Sequence, residues 1–306
     1  MKLAILLLCH KNPKQINLFL ETLQHPDIEF FIHVDKKANI TKNILARNDV
    51  HILSDEYRVD VQWGEFSQTR ATLNLIYFAR DACNADYYWL CSGQDFPIHS
   101  AEYILDFLSH DKDANYMQFW PSVSNGAAHE NNLDKRNVVY YPHWIMGRSF
   151  YKRLIKRAYV CMTGGYNCTF KIFRRKDGLA KIHKYFGSNW MCMTQNFIDW
   201  FRKYLQENKW YEKDFVHSLN PDECFFQTLL MLSPYRDTRH DYLHYIDWST
   251  PRKGKPKNSP NTLLVEDYEK ITSSPYLMAR KFDVTIDSQI IQILKKYIDH
   301  GGRDKY

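Results

Sequence analysis

Apolar residues fall along the first half of the chain in two alternating patterns: short unbroken runs that suit buried strands, and longer stretches with helical spacing. The runs Leu3–Leu8, Phe30–Val34 and Val50–Leu53 read as strands, with a helix at Lys14–Leu23 between the first two. A longer amphipathic helix is predicted over Ser67–Ala82. It is followed by a strand at Tyr87–Leu90 that ends in the polar turn Cys91-Ser92-Gly93-Gln94-Asp95-Phe96-Pro97. Ser100 has the character of an N-cap for a helix reaching Leu108, and Tyr116–Trp120 is the next predicted strand. Strands alternating with helices predict an α/β fold, a Rossmann-type, mainly parallel sheet flanked by helices. Ligands of such sheets sit beyond the carboxyl ends of the strands, where His10, Asp35 and Asp95 all fall.

Between Pro121 and Tyr185 this rhythm breaks into segments rich in Asn, His, Tyr, Arg and Lys, which predict long loops and one short basic helix at Ser149–Ala158. Insertions of this kind commonly carry specificity. The pattern recovers after Gly187, with a helix at Gln195–Gln206, a capped helix starting at Pro221, a strand at Tyr242–Ile246 and a final helix at Asp287–Ile298. Ser249–Pro260 is a breaker-rich loop whose Arg252, Lys253, Lys255 and Lys257 are available to a phosphate or a membrane surface. Neither an internal repeat nor a linker is visible, so a single domain over residues 1–306 is expected.

Composition narrows the class. With 306 residues, 44% of them hydrophobic and 15% aromatic, the chain can build a large core, and wholesale disorder is excluded. A net charge of +6 favours anionic partners. The 41 basic residues are largely matched by 35 acids, which argues against a nucleic-acid binder. Seven scattered cysteines without a CxxC pair predict neither a disulfide framework nor a zinc site, in keeping with a reducing cytoplasm. The opening run Leu3–Leu8 is too short to span a bilayer and reads as a strand, so neither a leader nor an anchor is expected.

Several residues are candidates for chemistry. Glu223, in Asn220-Pro221-Asp222-Glu223-Cys224, is placed either as a general base or as the acidic half of a helix capping box. Arg280-Lys281 sets a guanidinium and an ammonium side by side, suited to a diphosphate or simply to a solvated strand end. A metal-bridged diphosphate calls for Asp-x-Asp at the end of a central strand. The one match, Asp111-Lys112-Asp113, falls in a turn at the amino-terminal edge, and the strand end itself offers only Asp95. Asp35 ends the second strand, where an acceptor can reach a ribose or base, or merely form a turn. Gly187-Ser188-Asn189-Trp190 puts an indole beside a flexible turn, as a sugar-stacking wall or a core residue. His10, His33 and His244 lack ligand spacing and read as polar lining.

Taken in order, seven short blocks resemble one family. They are Phe31-Ile32-His33-Val34-Asp35-Lys36-Lys37, Trp63-Gly64, Cys91-Ser92-Gly93-Gln94-Asp95-Phe96-Pro97-Ile98, Gly187-Ser188-Asn189-Trp190, Pro221-Asp222-Glu223-Cys224-Phe225-Phe226, Leu243-His244-Tyr245-Ile246-Asp247-Trp248 and Ala279-Arg280-Lys281-Phe282-Asp283. They are similar to the successive blocks of the core-2/I-branching β-1,6-N-acetylglucosaminyltransferases and peptide O-xylosyltransferases, over nearly the whole chain. The resemblance implies a GT-A-like fold, a UDP-sugar donor, inversion at the anomeric carbon and no obligatory metal cofactor. It implies Glu223 as catalytic base, Arg280 and Lys281 at the diphosphate, and Asp35 at the nucleoside. Trp63, Asp95 and His244 join the donor site, and Ser188 and Trp190 the sugar site.

Residues 1–120 are expected to form a nucleotide-binding half, 121–186 a variable acceptor-side insertion that matches none of the blocks, and 187–306 a catalytic and diphosphate-binding half. GlcNAc is the favoured sugar, with UDP-xylose the alternative donor and a non-catalytic carbohydrate-binding protein on the same fold the alternative of another class. Many members carry Arg where this chain has His244, which puts a second phosphate cation in doubt or makes it titrate near neutral pH. A bacterial-type cytoplasmic enzyme is expected, acting on a glycan or lipid-linked glycan acceptor with peripheral contact at the inner membrane face.

Overall fold

The computed structural model describes residues 1–120, 138–147, 149–164, 170–252 and 259–302. Its first strand, β1 (Leu3–Cys9), is an unbroken apolar run because both of its faces are covered, as parallel strands require. Strands β2 (Ile28–Val34), β3 (Val50–Ile52) and β4 (Tyr87–Ser92) run parallel to it. The sheet is completed by β6 (Asn115–Met117), β7 (Met191–Thr194) and β8 (Arg239–His240), in the order β3-β2-β1-β4-β7-β6-β8. Only β7 opposes its neighbours. The α/β, mainly parallel sheet flanked by helices is therefore as expected from the sequence.

One face of the sheet packs on α1 (Pro13–Thr22), α3 (Ala101–Ser109) and α9 (Gln289–Asp299) around Leu7, Phe19, Phe30, Trp89 and Leu294. The other packs on α2 (Phe66–Ala82), α5 (Gln195–Glu207), α6 (Lys209–Phe215) and α7 (Phe225–Leu232) around Leu6, Ile76, Tyr88, Phe201 and Phe225. Ser100 caps α3 by accepting from the Tyr103 amide, as its position predicts. A short α8 (Tyr268–Thr272) follows later in the chain.

A second sheet was not foreseen. Its strands β5 (Asp95–Pro97), β9 (His244–Ile246) and β10 (Met278–Arg280) are three residues each, with β10 in the middle. Segments this short carry no readable alternation. The strand expected at Tyr242–Ile246 thus lies outside the main sheet.

Two other expectations are corrected. The strand expected to reach Trp120 ends at Met117, because the chain leaves β7 and the Trp120 amide bonds to the Phe186 carbonyl. The capped helix expected from Pro221 is a 3-10 turn at Pro221–Glu223, broken at Cys224 before α7. Asn220 adopts a left-handed conformation (φ 46°) and makes no side-chain cap; its amide donates to the Gly64 carbonyl instead.

Within the insertion, the basic helix is longer than expected: α4 runs from Phe150 to Met162 and is capped by Ser149. A separate small core of Val139, Tyr141, Ile145, Met146 and Tyr159 lies beneath it. Arg252 is committed to structure, pairing with both oxygens of Asp267, while Lys253, Lys255 and Lys257 lie outside the described residues. The described cysteines are all unpaired with one another. No described helix is long and apolar enough to cross a membrane.

Candidate active site

Parallel β1, β2 and β4 end at one edge, which brings Cys9-His10, Val34-Asp35 and Ser92 together. Antiparallel β7 starts at that same edge, so Trp190 joins them from the other direction. The second sheet then supplies the cation. In its register Arg280 lies directly opposite Asp95, on the same face of an antiparallel pair.

Arg280 Nη1 donates to Asp95 Oδ1 at 2.7 Å and to Ser92 Oγ at 2.9 Å. Its guanidinium carbon stands 3.9 Å above the Trp190 ring, a cation–π contact in a largely dry setting. Both hydrogen bonds use Nη1, and Nη2 and Nε have no partner among the described residues. Asp95 is buried, which raises its carboxyl pKa, but the charge of Arg280, together with His244 and the Ser92 amide, outweighs this and the net shift is downward. It remains ionised and holds the guanidinium in place. Lys281, next along, donates from Nζ to Ser259 Oγ at 2.5 Å.

The base candidate is tied to the same edge through its backbone. The Glu223 carbonyl accepts from the Gly187 amide at 2.9 Å, and Gln227 Nε2 donates to the Ser188 carbonyl at 2.6 Å. The Gly187–Trp190 turn therefore connects the Glu223 turn to the ring beneath Arg280. Gly187 is required there: a Cβ on it would lie 1.7 Å from the Gln118 carbonyl oxygen.

On the other flank Gly64, with φ +80°, accepts from the Asn220 amide, so the Trp63-Gly64 turn lies against the loop carrying Glu223. The same segment starts near Asp35, where the Lys36 amide donates to the Val59 carbonyl and Lys37 pairs with Asp60. Glu223 is half-buried and Trp63 is exposed.

The family described as Core-2/I-Branching enzyme matches residues 3–272. The chain belongs to this family of sugar transferases. Among its relatives, Xylosyltransferase 1 of Rattus norvegicus is 23% identical, covering 97% of this chain and 35% of the relative. Xylosyltransferase 1 of Homo sapiens is also 23% identical, over 97% of this chain and 30% of its own length. Xylosyltransferase 2 of Rattus norvegicus is 23% identical, over 96% of this chain and 33% of its own length. The chain thus spans about a third of the length of these relatives. Among solved structures, S. aureus TarS 1–349 overlaps 52% of this chain and 50% of its own, with 13% identity and a TM-score of 0.26.

Within this family member, the residues singled out from the sequence divide by exposure. His244 is not the contact its block suggests: it is wholly buried behind Asp95, its Nε2 3.6 Å from the carboxylate. Neither ring nitrogen has a hydrogen-bond partner among the described residues. Burial pushes its pKa down against the pull of Asp95, so it supplies no positive charge at neutral pH. Trp190 is likewise no open stacking wall. Only 8% of it is exposed, and Arg280 covers one face.

Asp35 accepts from the Lys37 amide at the rim. His33 behind it is buried and accepts from the Val59 amide. Burial lowers the His10 pKa at this edge, within the fields of Lys11, Asp35 and Arg280.

Cys91, Asp95 and His244 converge closely enough that one ligand atom from each lies within 4.8 Å of the others. Both Asp95 oxygens already accept, from Arg280, Ser92 Oγ and the Ser92 amide, so a metal there would compete with a guanidinium for its carboxylate. Burial also holds Cys91 as a thiol. Asp111-Lys112-Asp113 lies in a turn before β6, at the opposite edge from Arg280.

One residue escaped the sequence reading. Gln15 is fully buried on α1; its Nε2 donates to the carbonyls of Gly93 and Phe282, and its Oε1 accepts from the Val284 amide. It fastens the turn before Asp95 to the segment after Lys281. A lone Gln on an otherwise amphipathic helix gives no signal of this. Asp283 completes the link, accepting from Lys11 and Asn12.

Proposed function

We propose that this chain transfers a sugar from a UDP-sugar to a hydroxyl of a glycan acceptor by a single displacement that inverts the anomeric carbon. Glu223 takes the proton of the acceptor hydroxyl as that oxygen bonds to the anomeric carbon, and the bond from that carbon to the diphosphate breaks. UDP leaves with the bonding electrons, its charge met by Arg280 and Lys281. The observation that carries this reading is the Arg280 guanidinium, buttressed through Nη1 by Asp95 and Ser92, with Nη2 and Nε without a partner among the described residues. A cation held in that way is preorganised for an anion and lies at the edge where Asp35 and the Glu223 turn meet.

Two protein cations at the diphosphate, and an Asp-x-Asp on the far edge, favour turnover without a divalent metal. UDP-GlcNAc is the proposed donor, acting on a glycan or lipid-linked glycan. The relatives named Xylosyltransferase 1 and 2 support UDP-xylose as a second reading. UDP release in EDTA from either donor tests both, and loss of turnover in EDTA would sink the metal-free mechanism. Glu223→Gln should lower kcat by about 10²–10⁴-fold or more while UDP binds nearly as before. Near-full activity in that variant would remove Glu223 as the base.

A further inference from the structure

Helix α4, Phe150–Met162, turns its apolar side away from the protein. At 100° per residue, Phe150, Leu154, Ala158, Tyr151, Met162 and Ile155 fall in succession within an arc of about 140°. Every one of them is exposed, Phe150 by 70% and Tyr151 by 75%. The remaining circumference carries Lys152, Lys156, Arg153 and Arg157, with Arg157 next to Phe150 and Lys156 opposite the apolar arc, and the helix contains no acid. The contact with the body is narrow. Tyr159 is its one buried residue, bonded to the Tyr140 carbonyl and set edge-on against Phe173. Lys156 and Val160 beside it are half-buried, and Lys156 lies in the field of Glu65.

An amphipathic helix on a water-soluble surface normally buries its apolar stripe and exposes its charges. Here the stripe is outward, and Trp144, in the turn before the helix, is also 65% exposed. A contiguous exposed apolar face of this kind marks an interaction site.

We infer that α4 is a docking helix for an anionic bilayer surface, with its apolar face in the headgroup boundary and its basic residues against lipid phosphates. Charge complementarity selects this occupant. Lys152, Arg153 and Arg157 are exposed along the margins of the apolar face, so a second copy meeting the same face would bring like charges together, whereas anionic headgroups meet them with opposite charge. Aromatic residues at both the start of the helix and the preceding turn suit the interfacial layer of a membrane.

The placement has a consequence for the site. A cleft of about 370 Å³ opens beside the start of α4, lined among others by Gln62, Glu65, Trp144 and Lys152. Its inner wall is the segment whose Gly64 bonds to Asn220, three residues before Glu223. Docking through α4 sets this cleft beside the bilayer, where an acceptor carried on a lipid is presented. The docking itself does not depend on sugar transfer, so the test uses neither donor nor acceptor.

The test is co-sedimentation of the full chain with vesicles of phosphatidylcholine alone, and of phosphatidylcholine mixed equally with phosphatidylglycerol. Binding to the anionic vesicles should be at least roughly tenfold tighter and should weaken with salt. Phe150→Ser with Leu154→Ser, and separately Lys152→Glu with Arg153→Glu and Arg157→Glu, should each reduce it by roughly tenfold or more. These side chains face solvent, so thermal melting and UDP affinity should match the parent chain, which separates lost docking from lost folding. Equal binding to both vesicles, or none, overturns the inference. So does a parent chain that is dimeric in solution, becomes monomeric in the Phe150→Ser/Leu154→Ser variant and ignores vesicles, since a second copy would then be the occupant.

Discussion

Arg280 owes its position to a buried carboxylate. Removing it alone leaves Asp95 charged and unpaired in a dry environment, and Arg280→Ala should cost about 3–5 kcal/mol of stability as well as donor affinity. The two effects separate in the double variant Arg280→Ala/Asp95→Asn. Urea unfolding should recover most of the stability, because no lone charge remains. UDP affinity should stay roughly 10–100-fold below the parent, because the diphosphate has lost its guanidinium. Recovery of UDP binding in the double variant would make Arg280 a partner for Asp95 and nothing more. Glu223 shows the complementary case. Its spacing from Asn220 allowed a capping box, and the structure withholds it, since Asn220 is left-handed and makes no cap.

At the scale of elements, the site depends on short strands whose pairing the sequence does not show. β5, β9 and β10 have three residues each, and their pairing alone sets Arg280 opposite Asp95 and His244 opposite Met278. The turn Gly187–Trp190 was legible as flexible, but the demand on Gly187 comes from the Gln118 carbonyl, far away in sequence. Gly187→Ala should therefore cost about 2–3 kcal/mol through forced backbone movement. It should also lower the transfer rate, since the Gly187 amide holds the Glu223 carbonyl. Thermal melting and initial rates check this together; parent-like stability would mean that the close approach is readily relieved. Helix α4 is the element whose pattern was visible while its orientation was not. A basic amphipathic stretch does not say which side faces the body.

Over the whole molecule, two cores clamp the sheet, and polar groups enclosed with them make stability depend on pH. His33 is buried as a neutral ring accepting from Val59, and burial pushes its pKa from 6.5 to about 4. Because the folded pKa is the lower one, the unfolded chain takes up this proton first as pH falls. The stabilisation is complete above pH 6.5 and is lost between there and pH 4. About 3 kcal/mol should disappear across that window, at roughly 1.4 kcal/mol per unit. Urea midpoints should fall less with acid in His33→Gln than in the parent, and an equal fall would assign the loss elsewhere. The long periodic elements, the parallel sheet and its ligand edge followed from the sequence alone, because burial on two faces or on one stripe writes itself into the order of apolar residues. So did the family, through blocks lying in order along the chain. Only the tertiary structure decided that His244 and Trp190 are buried supports, that Gln15 fastens the two halves of the site, and that α4 faces outward. Each of these depends on which groups meet across long stretches of chain, and no local pattern records that.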